Sequence, residues 1–251
     1  MEAIIFTRRH HAVMNAARVK PSLLNVYKLN EVMVVAAEQR PNFPLHFGSL
    51  GFVRFSHLSE PVASDRGGRA YVVKEIGIQV VSQEWERQMS CLYEAFHRAG
   101  VNTLQISTFR ERVVFATRPT FTEQDSEPSK KAPGFAKKNW VHKLQKSKVS
   151  ASSSSSRPPR SSSTAEYSRH PEDPIPIIDL RQLNTFDYKG DLDNLLQGID
   201  EFPRLNDVPS GSLVWIIHTV NGFKPKKAPT FEHLTLSFNV WAVLVLTDPL
   251  A

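Results

Sequence analysis

Residues 233–247, which read HLTLSFNVWAVLVLT, limit the fold of this chain more than any other segment. Apolar residues occupy every second position from Leu234 to Leu246, which predicts a β-strand with one continuous apolar face. The opposite face starts polar at His233 and ends apolar at Val245. A strand that is buried on both faces at one end needs a second layer of structure to cover it. The sequence therefore predicts a β-sandwich rather than a single sheet.

Five further segments carry strand signals, mainly β-branched and aromatic residues between turn residues. They are residues 49–58, 70–81, 103–117, 175–180 and 212–221. A helix is predicted between Ser82 and Gly100 because apolar residues recur there at helical spacing. This apolar stripe consists of Trp85, Met89, Leu92 and Phe96. Shorter helices are predicted at 136–148 and 191–199. The predicted fold class is α+β, mainly β, with a two-layer β-sandwich or jelly-roll-like core and a few helices.

All of the net positive charge lies in one serine-rich stretch, residues 128–169. This basic tract contains ten lysines and arginines and one acidic residue, Glu166, whereas the whole chain has a net charge of +6. Its apolar content is too low to offset the entropy lost on ordering, which predicts a disordered basic insertion. The predicted organisation is an N-terminal α+β part at 1–121, a disordered Ser/Pro-rich insertion at 122–174 and a C-terminal β part at 175–251. The two outer parts are expected to share one core.

The basic tract predicts a nucleic-acid-binding surface. Clustered lysines and arginines bind phosphates whatever the base sequence, because binding releases counterions. A tryptophan in the tract adds a ring on which a base can stack, and three more lysines lie in the loop between the two closing strands. The predicted binding residues are Lys130, Lys131, Lys137, Lys138, Trp140, Lys143, Lys146, Lys148, Arg157, Arg160, Lys224, Lys226 and Lys227. The alternatives are a solvated spacer or a nuclear-import signal. Phosphorylation of the neighbouring serines would cancel the charge.

The chain lacks the motifs of known catalytic and metal sites. Nucleophile-elbow, phosphate-loop, dinucleotide-binding and zinc-protease patterns are absent. Cys91 is the only cysteine, which excludes an intramolecular disulfide and suits a reducing compartment. No apolar run reaches the roughly 18–20 residues that span a bilayer. We therefore predict a non-enzymatic intracellular protein that is not secreted and that needs no cofactor or metal ion.

Three segments, in order, resemble the thirty-kilodalton movement protein superfamily of plant viruses. Residues 175–183 (IPIIDLRQL) are similar to the family's strand that ends in an aspartate followed two positions later by an arginine, here Asp179 and Arg181. Residues 212–221 and 234–248 resemble the last two core strands of the family. The chain departs from the family pattern because its basic tract precedes Asp179 instead of following the core.

The resemblance implies a β-sandwich that binds single-stranded nucleic acid without sequence preference and catalyses no reaction. Asp179 and Arg181 would then form a structural motif. We expect a viral protein that moves its genome from cell to cell by binding single-stranded RNA, in the host cytoplasm and at plasmodesmata. Anionic membrane surfaces, host proteins and further copies of the chain are the other expected partners. The closing strands also resemble a viral jelly-roll coat protein, so packaging of the genome is one alternative. The second alternative is a cellular protein-interaction module with a phosphorylatable linker.

Overall fold

The structure is a computed structural model that describes residues 13–29, 32–37, 40–65, 70–106, 108–109, 112–121, 168–181, 202–224 and 230–249. The helices predicted at 136–148 and 191–199 lie outside the described residues. Most of the predicted disordered insertion, residues 122–167, also lies outside them, whereas its last residues, 168–174, are described.

β-Strands dominate the described residues, which confirms the mainly β fold class. The strands in these ranges are β1 (Val13–Met14), β2 (Asn25–Leu29), β3 (Val32–Ala37), β4 (Arg40–Pro44), β5 (His46–Asp65), β6 (Ala70–Val80), β7 (Thr103–Ile106), β8 (Thr108–Phe109), β9 (Arg112–Ala116), β10 (Thr120–Phe121), β11 (Ile177–Asp179), β12 (Leu213–Phe223) and β13 (His233–Val245). The described helical elements are the α-helix α1 (Ser82–Arg98) and a 3₁₀ turn (Pro21–Leu23).

Five of the strands close into a barrel. β5, β6, β9, β13 and β12 are hydrogen-bonded in that order, and β12 also pairs with β5, which completes the ring. Neighbouring strands are antiparallel except β9 and β13, which run parallel. Counted along the chain, the barrel strands follow the order 1-2-3-5-4, which is the Greek-key order of a five-stranded OB-like barrel. The two layers predicted from the sequence are opposite walls of this barrel.

Strands from both sides of the basic tract belong to this barrel. β12 and β13 follow the tract, and they pair with β5 and β9, which precede it. The backbone N–H of Arg118 donates to the carbonyl oxygen of Arg169, so the last residue of the tract lies against the chain that precedes the tract. The predicted boundaries of the three parts, at 121/122 and 174/175, stay predictions.

The closing strand contains a β-bulge that its sequence does not reveal. Ile217 pairs with Ala242, but the next residue, His218, pairs with Val240, so Trp241 is an extra residue in β13. An insertion of one residue moves every later side chain to the other face of the sheet.

The predicted single apolar face from Leu234 to Leu246 is therefore wrong beyond the bulge. Ala242 and Leu244 lie in a second apolar cluster, on the other face of the sheet, together with Trp215. The residues of β13 that pack into the main core are Leu234, Leu236, Phe238, Val240, Val243 and Val245. The second half of the strand is buried on both faces, as predicted.

The predicted helix is confirmed as α1. Leu92 and Phe96 of its apolar stripe are fully buried in the main core, and Trp85 and Met89 pack against the same core. Gly100 ends the helical segment with a φ angle of 87°, in the left-handed region that favours glycine. The helix therefore contributes its apolar face to the barrel core.

A buried polar cluster joins α1 to two barrel strands. Ser49 Oγ on β5 donates to Gln88 Oε1 on α1 at 3.0 Å and lies 2.9 Å from His218 Nε2 on β12. The His218 ring contacts Phe115 and Phe238 edge-on, with centroids 4.8 and 5.6 Å away. Burial lowers the pKa of His218 to about 3, so its imidazole is neutral near pH 7.

Candidate functional site

A groove lies on the outer face of the barrel. Ile76 and Ile78 of β6 point into the core. The alternate residues of the same strand, Tyr71, Val73 and Glu75, therefore line the outer face. Here the structure forms a cavity of about 370 Å³. The remaining residues of its lining are Val114, Ala116, Thr117, Pro119, Phe223, Leu236, Ser237 and Phe238.

The residues that line the groove are mainly apolar, and two of them, Leu236 and Phe238, also pack into the main core. Glu75 is the only charged residue among its described lining residues. Polar side chains continue from the groove onto β12: Ser237 Oγ donates to Asn239 Oδ1 at 3.2 Å, and Asn239 Nδ2 donates to Thr219 Oγ1 at 3.3 Å. A surface of this kind can take planar, largely apolar groups and offers hydrogen bonds at one side. It does not by itself attract an anion.

An exposed aromatic residue lines the groove, and a lysine follows it directly in the chain. Phe223 ends β12, lines the groove and is 41% exposed. The next residue, Lys224, has its Nζ 5.7 Å from the centroid of the Phe231 ring, and Lys28 of β2 has its Nζ 4.1 Å from the same centroid. The two ammonium groups are thus held on one aromatic ring by cation–π attraction. Of these two lysines, only Lys224 adjoins the groove lining, as the neighbour of Phe223 in the chain.

The sheet brings Lys28 to Phe231 on the face opposite to that of Phe223, because directly paired residues share a face. Met33 of β3 pairs with Gly222 of β12 on one side and with Lys28 of β2 on the other. Lys28 was not predicted as a site residue because the first 47 residues mix helical and strand signals, and Phe223 and Phe231 were not predicted because only the lysines of their loop were considered. The available signal was the loop lysine cluster, which has an aromatic residue at each end.

The structure describes the position of one residue of the predicted binding set, and the binding role of the whole set stays a prediction. Lys224 lies at the groove rim beside Phe223. The other predicted binding residues lie outside the described residues: Lys130, Lys131, Lys137, Lys138, Trp140, Lys143, Lys146, Lys148, Arg157, Arg160, Lys226 and Lys227. Their role in binding stays a prediction.

Asp179 and Arg181 form a tight ion pair away from the groove lining. Arg181 donates from Nε to Asp179 Oδ1 and from an amino group to Asp179 Oδ2, both at 2.7 Å. Its other amino group donates to Asp248 at 2.5 Å. The hydrogen bonds from Arg181 lower the pKa of Asp179 below its ordinary value. The pair connects β11 to the end of the described chain, which suits the predicted structural role.

Other reactive groups are few in the described part of the chain. No group of three or more His, Cys, Asp or Glu residues in these ranges can hold a metal ion. Cys91 is a buried free thiol, and burial raises its pKa to about 11. Among the described helices, none is long and apolar enough to cross a membrane.

Comparisons with known proteins give structural matches of low similarity. No protein-family model matches the chain, and no curated protein matches its sequence. A single-stranded DNA-binding protein from bacteriophage Enc34, solved in complex with ssDNA, is 10% identical with a TM-score of 0.37; the match covers 90% of this chain and 96% of that one. A C-terminal truncation of the Enc34 protein is 9% identical with a TM-score of 0.36, over 90% and 95% of the two chains. The single-stranded DNA-binding protein gp2.5 of bacteriophage T7 is 10% identical with a TM-score of 0.37, over 82% and 88%.

Proposed function

We propose that the chain binds single-stranded nucleic acid on the outer face of its barrel, with bases in the groove and phosphates on the lysines beside it. The observation that carries this proposal is the position of Phe223, an exposed ring at the groove rim with Lys224 next to it. Single-strand binding sites combine aromatic rings that stack on bases with positive charges that follow the backbone.

The chemistry of the groove favours an unpaired strand over a duplex. Its apolar lining and its single carboxylate, Glu75, are unfavourable for the phosphates that form the outside of a duplex. A single strand can turn its bases into the groove and leave its phosphates at the rim, toward Lys224, which follows the lining residue Phe223. The described site therefore separates the surface for bases from the charges for phosphates.

The barrel topology supports the same surface. OB-fold barrels bind oligonucleotides across their second and third strands and through the loops that follow the first and fourth strands. Here the second and third barrel strands are β6 and β9, which line the groove. The loop after the fourth strand, β12, carries Lys224 and the predicted binding residues Lys226 and Lys227.

The basic tract adds a long-range electrostatic contribution in this proposal. Its positive charge would raise affinity for any polyanion and make that affinity depend steeply on salt. Single-stranded RNA is the expected ligand, and single-stranded DNA of the same sequence is the comparison. A more specific proposal is that the chain moves a viral genome between cells, with membranes and host proteins as partners. It rests on the resemblance of Asp179, Arg181 and the closing strands to the thirty-kilodalton movement protein superfamily.

Binding measured across a salt series tests this function. We expect the chain to bind a single-stranded oligonucleotide more tightly than a duplex of the same length, with an affinity that falls steeply as salt rises. Equal binding to both forms would leave only non-specific attraction by the basic tract. No binding to either form would reject the proposal and favour the protein-interaction module. Compact particles of fixed size, formed with long RNA, would favour packaging over movement.

A further inference from the structure

Arg169 has no ion-pair partner at close range among the described residues, although the charge of Asp173 acts on it from a distance. Arg18 and Arg181 have carboxylate partners, Glu84 and Asp179, whereas Arg169 forms no ion pair with a described carboxylate. Its Nε atom is buried and has no hydrogen-bond partner among the described residues. One of its amino groups makes a long contact of 3.4 Å to the carbonyl oxygen of Pro174. A partly buried guanidinium that lacks an ion pair and has an unpaired Nε–H donor favours an anion as its partner.

The guanidinium is held in place by Trp241, the extra residue of the bulge in β13. The Cζ atom of Arg169 lies 4.3 Å from the centroid of the Trp241 ring. The His46 ring packs edge-on against the same tryptophan, with centroids 4.8 Å apart, and its Nε2 atom is also buried without a partner among the described residues. Burial and the charge of Arg169 lower the pKa of His46 to about 4, so a neutral imidazole faces the guanidinium.

This cluster adjoins the lining of the groove. Arg118 donates its backbone N–H to the carbonyl oxygen of Arg169 at 2.8 Å. Thr117 and Pro119, on either side of Arg118, both line the groove. A strand lying in the groove would therefore pass close to Arg169.

We propose that Arg169, held on Trp241 beside His46, binds a phosphate group of the nucleic-acid backbone. This inference rests on the proposed function and adds a phosphate contact to it. An arginine supported by an aromatic ring keeps a planar set of donors that matches phosphate oxygens. A neutral His46 with its hydrogen on Nε2 donates to the same oxyanion, so one phosphate would satisfy both unpaired nitrogen atoms.

The test combines a charge-removing variant with direct observation of the arginine. We expect Arg169→Gln to weaken binding of a single-stranded oligonucleotide about tenfold and to lower the salt slope by about 0.7. Arg87→Gln removes the same charge from α1, where Arg87 pairs with Glu84, and should change affinity less than twofold. Arg169→Lys retains the charge without the Nε–H donor and should weaken binding less than Arg169→Gln. In the unaltered protein, the ¹⁵Nε–¹H signal of Arg169 should shift with the oligonucleotide and with inorganic phosphate.

The outcomes separate this inference from the proposed function. Oligonucleotide binding with the same affinity and salt slope in Arg169→Gln and Arg87→Gln overturns the phosphate contact and leaves the function intact. A signal that shifts with inorganic phosphate, together with an unchanged salt slope, assigns the site to free phosphate and overturns the backbone as its ligand. Absence of oligonucleotide binding by the unaltered protein rejects the proposed function, whatever the response of Arg169 to phosphate.

Discussion

Arg118 and Arg169 are joined by a backbone hydrogen bond of 2.8 Å, although about fifty residues separate them in the chain. A second contact lies beside it, between Thr120 Oγ1 and His170 Nε2 at 2.9 Å. The chain thus leaves the barrel before the basic tract and rejoins it at the same place. A segment whose two ends are already fixed side by side can change its length at little cost to the barrel.

Replacing residues 122–167 by a short Gly/Ser linker should therefore leave the barrel folded. The shorter loop costs less entropy to close, so we expect the free energy of unfolding to stay within about 1 kcal/mol of its original value or to rise. Urea unfolding followed by circular dichroism measures this. Oligonucleotide affinity should fall and depend less on salt, because the predicted lysines of the tract are removed.

The matched control for this deletion extends it to residue 174. That variant also removes Arg169 and His170, together with the backbone carbonyl of Asp173 that accepts a hydrogen bond from Lys74 Nζ at 3.0 Å. We expect it to be less stable than the deletion of 122–167. Equal stability of the two variants would show that residues 168–174 do not contribute to the barrel.

Asp179→Ala should destabilise the fold far more than Asp248→Ala. Both carboxylates bind Arg181, but the Asp179 side chain is 5% exposed and that of Asp248 is 78% exposed. Loss of the buried partner should cost about 2–4 kcal/mol, whereas loss of the exposed partner should cost less than about 1 kcal/mol. Chemical denaturation compares them. Nucleic-acid affinity of the folded Asp179→Ala protein should be unchanged, and a loss of affinity at full stability would contradict the structural role.

Acid should destabilise the protein through its buried histidines. The pKa of His218 is about 3 in the folded state against an ordinary value of 6.5, so between these pH values the unfolded chain binds a proton that the folded chain does not. The free energy of unfolding should therefore fall by up to about 1.4 kcal/mol per pH unit for this group as pH drops below 6.5. His46, with a folded pKa of about 4, adds to the loss over the same window.

Urea unfolding at several pH values tests this proton balance. His218→Gln should lower the free energy of unfolding at pH 7, because it disturbs the contacts with Ser49 and Gln88. It should also reduce the slope of the free energy of unfolding against pH, between pH 4 and 6, by the equivalent of about one proton. His97→Gln, at an exposed position of α1, is the control for the substitution itself. An unaltered slope in His218→Gln would contradict the burial of a neutral imidazole.

Two glycines should differ in their tolerance of alanine for different physical reasons. A Cβ atom on Gly48 of β5 would lie 2.1 Å from Nε1 of the Trp215 ring, so that ring would have to move. We expect Gly48→Ala to cost about 1–3 kcal/mol. Gly100 has open space around it but a φ of +87°, so Gly100→Ala should cost about 1 kcal/mol. Denaturation midpoints compare them, and a smaller effect at Gly48 would contradict the packing of Trp215 across β5.

Sequence patterns predicted the elements that depend on local periodicity. The helix from Ser82 and the strand β13 lie where apolar spacing predicted them, and β6 and β12 lie where β-branched and aromatic residues did, because burial imposes these patterns on the sequence. The bulge at Trp241 was not predictable, since an extra residue is recognised only through its pairing with the neighbouring strand. The closure of the sheet into a barrel depends in the same way on the pairing of β5 with β12.

The candidate site was predicted only in part, because its residues come from distant parts of the chain. Lysine clustering identified Lys224, whereas Lys28 reaches the same ring only through the β2–β3–β12 sheet. The groove arises where β6, β9 and β13 lie side by side, and no local pattern describes such a surface. Sequence analysis therefore recognised the charge near the site but not the surface for the bases.

Replacement of Phe223 tests the central claim most directly. Phe223 and Tyr93 are exposed to a similar extent, 41% and 43%, but Tyr93 lies on α1 and does not line the groove. Fluorescence anisotropy with a single-stranded oligonucleotide should show that Phe223→Ala weakens binding about 5- to 150-fold, which corresponds to the loss of one stacked base, while Tyr93→Ala binds normally. Equal affinities for the two variants, both folded, would contradict binding of nucleic acid at this groove.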